Sequence, residues 1–178
     1  MEEIKEISAQ ELEKFAEDLM ESGFDQAQIC TNGHVINKAA NTQWRFNEPH
    51  CRKCGAEGIT NCKHCWAPIK GEYLWDNPSL NYGFSMPSFC IICGKPYPWT
   101  EATIQVAKDL IDEQESLTEE EKSQFKQSIE EITVDTPKTK LAASRVKRFI
   151  GKCAEYAGPI FKEVIKTVAT EGAKEMMR

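Results

Sequence analysis

Seven of the eight cysteines lie between Cys30 and Cys93. Three pairs, Cys51 with Cys54, Cys62 with Cys65 and Cys90 with Cys93, share the CxxC spacing, and Cys30 is followed four residues on by His34. Two intervening residues let one tight turn aim two sulfurs at a single tetrahedral ion about 2.3 Å away. Gly55 and Gly94, each directly after a second cysteine, supply the positive φ that such a knuckle often needs, and Gly33 can do the same before His34. Four pairs provide eight donors, enough for two four-coordinate sites. Thiolate and imidazole donors in this arrangement point to two structural Zn²⁺ ions held by Cys30, His34, Cys51, Cys54, Cys62, Cys65, Cys90 and Cys93.

Competing chemistries fit less well. Disulfides need an oxidising compartment, and the opening Met1-Glu-Glu-Ile-Lys-Glu is not an export signal. A thioredoxin-like redox centre expects one CxxC in a βαβ setting, not several in a loop-rich region. Iron can occupy four cysteines, but the histidine and the separated pairs favour zinc. With four ligands at each ion no position stays open for water, and no HExxH motif is present, so neither site is expected to be catalytic. Glu57 and Glu72 are the nearest acids, and nothing marks either as a base. Sequential pairing gives tandem ribbons; a cross-brace joining pairs one with three and two with four stays open. His50, beside Cys51, is an alternative to His34, whereas His64 is expected to point outward from its knuckle.

The elements that must position these donors divide the chain into three: residues 1–29, an acidic helix; 30–98, the cysteine-rich part; and 99–178, a helical region. The fold class expected is small α+β and metal-stabilised, with tandem zinc ribbons (rubredoxin-like β-hairpins) followed by a small α-helical region. Ser8-Ala-Gln-Glu11 is a capping box, Leu12, Phe15, Ala16 and Leu19 share one face, and Gly23 ends that helix. Beyond residue 98 the pattern predicts four amphipathic helices. Thr100 caps the first, Thr118 opens the second through a capping box with Glu121, and Thr136-Pro137 starts the third. Gly158-Pro159 breaks the third, and the fourth runs from Ile160 to Val168. Cys153 falls on the apolar face of the third helix as a small core residue. Residues 99–135 carry a charge of −8 and residues 136–178 carry +6, which implies that these stretches pack on each other.

The combination of Cys30-Thr-Asn-Gly-His34-Val-Ile, Cys51-Arg-Lys-Cys54-Gly and Phe89-Cys90-Ile-Ile-Cys93-Gly-Lys-Pro-Tyr-Pro-Trp-Thr100 resembles a bacterial family of uncharacterised zinc-ribbon proteins, domain of unknown function 2321. The resemblance extends over most of the chain, including Asp135-Thr-Pro-Lys-Thr-Lys140. It implies a bacterial, cytoplasmic zinc protein and brings with it no substrate, partner or reaction.

Composition excludes some functions. No stretch approaches the roughly 20 apolar residues of a membrane span. No nucleophile–base arrangement or phosphate loop is legible, so an enzyme is not expected. The favoured class is a non-catalytic protein-interaction module, an adaptor or scaffold with an unidentified protein partner. Trp44, Trp66, Trp75 and Trp99 are candidate anchors if they do not simply pack a thin core. Nucleic-acid binding is an alternative, since basic and aromatic residues interleave from Lys38 to Tyr73. However, seven thiolates and two Zn²⁺ bring the +3 of residues 30–98 close to zero, and a phosphate binder needs a basic surface. Peripheral association with an anionic membrane through Lys138, Lys140, Arg145, Lys147, Arg148 and Lys152 is the second alternative.

Overall fold

The structure, a computed structural model, describes residues 8–74 and 84–177. It is a small α+β protein of two compact units, Met1–Thr100 and Glu101–Arg178. No helix of the described residues is long and apolar enough to cross a membrane.

The first unit opens with α1, Ala9–Glu21. Its capping box forms as the sequence predicts: the Ser8 amide donates to Glu11 Oε2 at 2.9 Å, and the Glu11 amide donates to Ser8 Oγ at 3.3 Å. Gly23, at φ +83°, turns the chain after the helix. Strands β1 (Phe24–Gln26) and β2 (Gln28–Cys30) follow with only Ala27 between them, and β3 (Val35–Asn37), β4 (Gly58–Ile59) and β5 (Lys70–Tyr73) complete two sheets. β1 pairs antiparallel with β5; β2 is the middle strand of the antiparallel order β3-β2-β4. The strands are only two to four residues long, so polar side chains hold the loops between them. Buried Asp25 accepts from the Asn41 and Thr42 amides at 3.0 and 3.1 Å. Gln28 clasps Glu48, donating to its carbonyl and accepting from its amide, both at 2.9 Å, which holds the lead-in to Cys51 against β2. Ala27, Ile29, Ile59, Ile69, Tyr97 and Trp99 form the apolar core, with Leu12 and Phe15 of α1 packed against it.

The second unit is helical. Five helices cover residues 98–177, and the first begins in the first unit: α2 (Pro98–Asp112), α3 (Glu119–Ile132), α4 (Thr139–Ile150), α5 (Ala157–Val168) and α6 (Glu171–Met177). Phe125 packs its ring 5.2 Å from those of Phe149 and Phe161, and Ile111, Ile129, Ile132, Val146 and Ile165 fill in around them. The capping box of Thr118 and Glu121 is present. The opposite charges meet in part: Arg145 reaches Glu131 at 3.8 Å and Lys152 pairs with Glu121. Lys108 and Lys126 instead pair with Glu130 and Asp112, acids of their own stretch.

Several helix boundaries differ from those predicted. Thr100 does not cap α2, which begins at Pro98; the Thr100 hydroxyl instead donates to the Ser88 carbonyl at 2.8 Å. Proline at the first helical position lacks only an N–H that has no helical partner there. A turn over Thr136-Pro137-Lys138 precedes α4, braced by the Thr136 amide donating to Thr139 Oγ1 at 2.8 Å. Gly158-Pro159 breaks no helix: α4 has already ended at Ile150, and the two residues lie in the first turn of α5, where proline is tolerated. Cys153 therefore lies beyond α4, not on it. It is half-buried, and its thiol donates to the Phe149 carbonyl at 3.3 Å. The helix α6 was not foreseen, its seven residues being too short to show a repeating apolar face.

Candidate metal centres

Each CxxC is built by the same local device. In all three, one residue before the first cysteine bridges antiparallel to the residue seven positions on: His50 with Glu57, Asn61 with Pro68, and Phe89 with Pro96. Within each, the first cysteine's amide donates to the carbonyl five residues on, at 2.8 Å for Cys51 to Ala56, Cys62 to Ala67 and Cys90 to Lys95. The residue after the second cysteine then donates back to the first cysteine's carbonyl, from Gly55, Trp66 and Gly94 at 2.8–2.9 Å. That residue must adopt positive φ, and does: +72° at Gly55, +64° at Trp66 and +69° at Gly94. Cys30 and His34 close a different turn at the end of β2, with Gly33 at φ +85°.

The structure gathers these donors into two quartets. One holds Cys30, His34, Cys51 and Cys54, the other Cys62, Cys65, Cys90 and Cys93, with the ligand atoms of each within 4.8 Å of one another. The quartets thus combine pair one with two and pair three with four, not the cross-brace grouping. His34 joins the first quartet; His50 does not, and is held in its bridge to Glu57. Cys30 Sγ lies 3.7 Å from Cys54 Sγ, Cys65 Sγ 3.6 Å from Cys90 Sγ, and Cys62 Sγ 3.8 Å from Cys93 Sγ. These separations exclude disulfides, whose sulfurs stand about 2.05 Å apart. Four sulfurs placed tetrahedrally at about 2.3 Å from a centre would stand roughly 3.8 Å from each other, so the donor set fits a metal ion. His34 Nδ1, at 3.3 Å from Cys54 Sγ and 3.6 Å from Cys30 Sγ, fits the shorter metal–nitrogen distance.

Backbone amides surround the sulfurs with partial positive charge. The His34 amide donates to Cys30 Sγ at 3.2 Å and the His64 amide to Cys62 Sγ at 3.5 Å. The Ala56 amide, aided by His34 and Asn32, draws the exposed Cys54 thiol down to about 6. Burial raises Cys30, Cys62 and Cys65. Burial also opposes ionisation at Cys90, but the amides of Cys93 and Ile92 together with hydrogen bonds from the Cys65 and Cys93 thiols lower it. Thiols held apart in this way titrate as sets, and a cation among them is what stabilises all the thiolates together.

The family model for uncharacterized proteins conserved in bacteria, DUF2321, matches residues 23–177. The chain belongs to this family. The match covers both quartets and α2–α6, and omits α1. Neither a curated protein nor a solved structure matches the chain.

Around the quartets the other candidate residues separate. Glu57 is engaged by Lys63 at 2.8 Å, which holds its carboxyl below the ordinary range. Trp99 is core: its ring stacks on Tyr97 at 4.7 Å and its Nε1 donates to the Pro87 carbonyl at 2.9 Å. Trp44 and Trp66 are exposed, and Trp75 lies outside the described residues. The Arg45 guanidinium lies over the Trp44 ring, the Lys70 ammonium lies over the Phe24 ring and Arg52 pairs with Glu48, so with Lys63 most of the interleaved cations are already engaged within the chain. The sequence reading missed Asn32, whose amide donates to Cys54 Sγ at 3.6 Å, and Asn61, which donates to the Trp66 carbonyl at 2.8 Å. It also missed that Trp66 stands where the other two knuckles carry glycine, which aligning the three CxxC segments would have revealed.

Proposed function

We propose that each quartet holds one structural zinc ion and that the protein is a non-catalytic, zinc-stabilised interaction module of the bacterial cytoplasm, its ribbons presenting an anchor to a protein partner. Cys30, His34, Cys51 and Cys54 would hold one ion, and Cys62, Cys65, Cys90 and Cys93 the other. Bound there, zinc supplies cross-linking and charge neutralisation, and four protein ligands leave no coordination position for substrate. The short strands and thin core supply a reason for it. Structural zinc contributes on the order of 10 kcal/mol to such a domain.

The observation that carries the interaction reading is Trp66. Positive φ disfavours a bulky L-residue there, and Gly55 and Gly94 fill the equivalent places in the other knuckles. Packing does not require the ring either, since the residue is 68 % exposed. A large aromatic kept where backbone and burial both argue against it is best explained by contact with something else. The Ile91 and Ile92 side chains, exposed on the knuckle that completes the same quartet, add apolar surface beside that centre.

The test has two parts. Elemental analysis of protein purified without added metal should find close to two zinc ions per chain; one ion, or mainly iron, overturns the assignment. Capture from native cells with zinc retained should then recover a protein that Trp66→Gly no longer captures while metal content stays unchanged. Equal recovery by the variant refutes Trp66 as the anchor. Tight binding of RNA or DNA, lost on changing Arg45, Arg52 and Lys53, would replace this reading with a nucleic-acid one.

A further inference from the structure

The second unit contains a pocket of about 620 Å³ among the last turn of α4, α5 and α6. That volume lies within the roughly 300–1,000 Å³ of small-molecule sites. Ile150 and the buried Ile165 give it an apolar wall, and Lys147, Lys162, Lys166 and Lys174 surround that wall with positive charge. Among the described residues no acidic one lines it. Glu163 and Glu171 pair with Lys166 and Lys174 at 3.1 and 2.7 Å, but these carboxylates are largely solvated, their side chains 74 % and 81 % exposed. Lys147 and Lys162 make no ion pair among the described residues. Four ammonium groups around one hollow repel each other, and an anion seated among them relieves the repulsion.

Two further features narrow the ligand. Among the described residues the four cations are lysines, and a phosphate monoester, with about −1.5 to −2 of charge, gains more from four point charges than a singly charged carboxylate does. Among the described residues the wall is aliphatic and no aromatic ring lines it, so a nucleobase finds no stacking surface there. A bare phosphate would leave the isoleucines uncovered. We propose that this pocket binds a single-chain amphiphile with a phosphate monoester head, its aliphatic chain on Ile150 and Ile165 and its head among the lysines. The site uses no residue of either quartet and does not depend on the interaction reading.

The test is calorimetric titration of the full chain, metals retained, with decyl phosphate below its micelle concentration, alongside decyl maltoside and inorganic phosphate. Saturable binding of one decyl phosphate per chain is expected, with each control at least about tenfold weaker because it lacks either the charge or the apolar chain. Replacing Lys147→Gln and Lys162→Gln together should weaken decyl phosphate by about five- to tenfold while the thermal transition stays in place. Gly151→Leu provides a second variant. Gly151 lines the pocket at an ordinary φ of −68°, and an added Cβ meets only the carbonyls of Arg148 and Lys147 at 3.5 and 3.7 Å. The added bulk should weaken binding without touching charge. Equal affinity for decyl phosphate and either control, or no effect of both variants, overturns the proposal. So does binding to phosphatidylglycerol vesicles by a protein that ignores monomeric decyl phosphate, because that indicates attachment to a charged surface and not an occupied pocket.

Discussion

Trp66→Gly separates an anchor from a structural ring, and its effect on stability follows from the geometry. The residue is 68 % exposed, so folding hides about a third of a side chain of roughly 250 Å², or ~80 Å². At ~25 cal/mol per Å² the lost burial costs about 2 kcal/mol as an upper limit. Glycine also loses about 0.4–1 kcal/mol through the extra freedom of its unfolded chain. Against this, relief of the left-handed backbone returns about 1–2 kcal/mol. The backbone bonds from the Trp66 amide to Cys62 and from Asn61 to the Trp66 carbonyl survive the change. The net expectation is a loss of about 1 kcal/mol, less than half the ~3–5 kcal/mol for Trp99→Ala, a ring only 5 % exposed that also forfeits its bond to Pro87. Urea unfolding followed by circular dichroism measures both variants. It must be run at one fixed zinc concentration, because metal bound only by the native state raises apparent stability by mass action. A loss of about 3 kcal/mol or more for Trp66→Gly would show that the ring supports the fold, and the anchor argument would fail.

Two further predictions follow from the same geometry. Cys51→Ser should reduce bound zinc to about one ion per chain, and cadmium NMR should find the Cys62, Cys65, Cys90 and Cys93 signal unmoved; a change at Cys90 or Cys93 would mean that the ions are shared across the quartets. Glu121 is held below the ordinary carboxylate range by Lys152 first and then by the Thr118 amide. Its stabilising contribution is therefore complete above the unfolded carboxylate pKa and lost as pH falls through the lower folded value. Glu121→Gln should flatten the acid side of the stability profile of α3 and α4, and an unchanged acid limb would count against the pairing.

The amino-acid sequence by itself determined what is local. A CxxC followed by a residue at positive φ closes its turn with hydrogen bonds spanning five residues, so three equivalent knuckles were legible without any fold. The capping boxes at Ser8 and Thr118 were legible for the same reason, each being complete within four residues. Tertiary structure decided what depends on distant segments meeting. His50 stands closer to a cysteine in the chain than His34 does, but the β2–β3 turn and the clasp of Gln28 on Glu48 bring only His34 to the sulfurs. Trp99 and Trp66 look alike as residues; one is covered by Tyr97 and the other stands in solvent, because burial is set by what packs above a ring. Charge totals predicted that basic residues would meet acids, yet only the fold showed that Arg145 and Lys152 do so while Lys147 and Lys162 turn to an apolar pocket. Hydrogen bonds within a turn need only neighbours, whereas burial and long-range pairing are properties of how the whole chain packs.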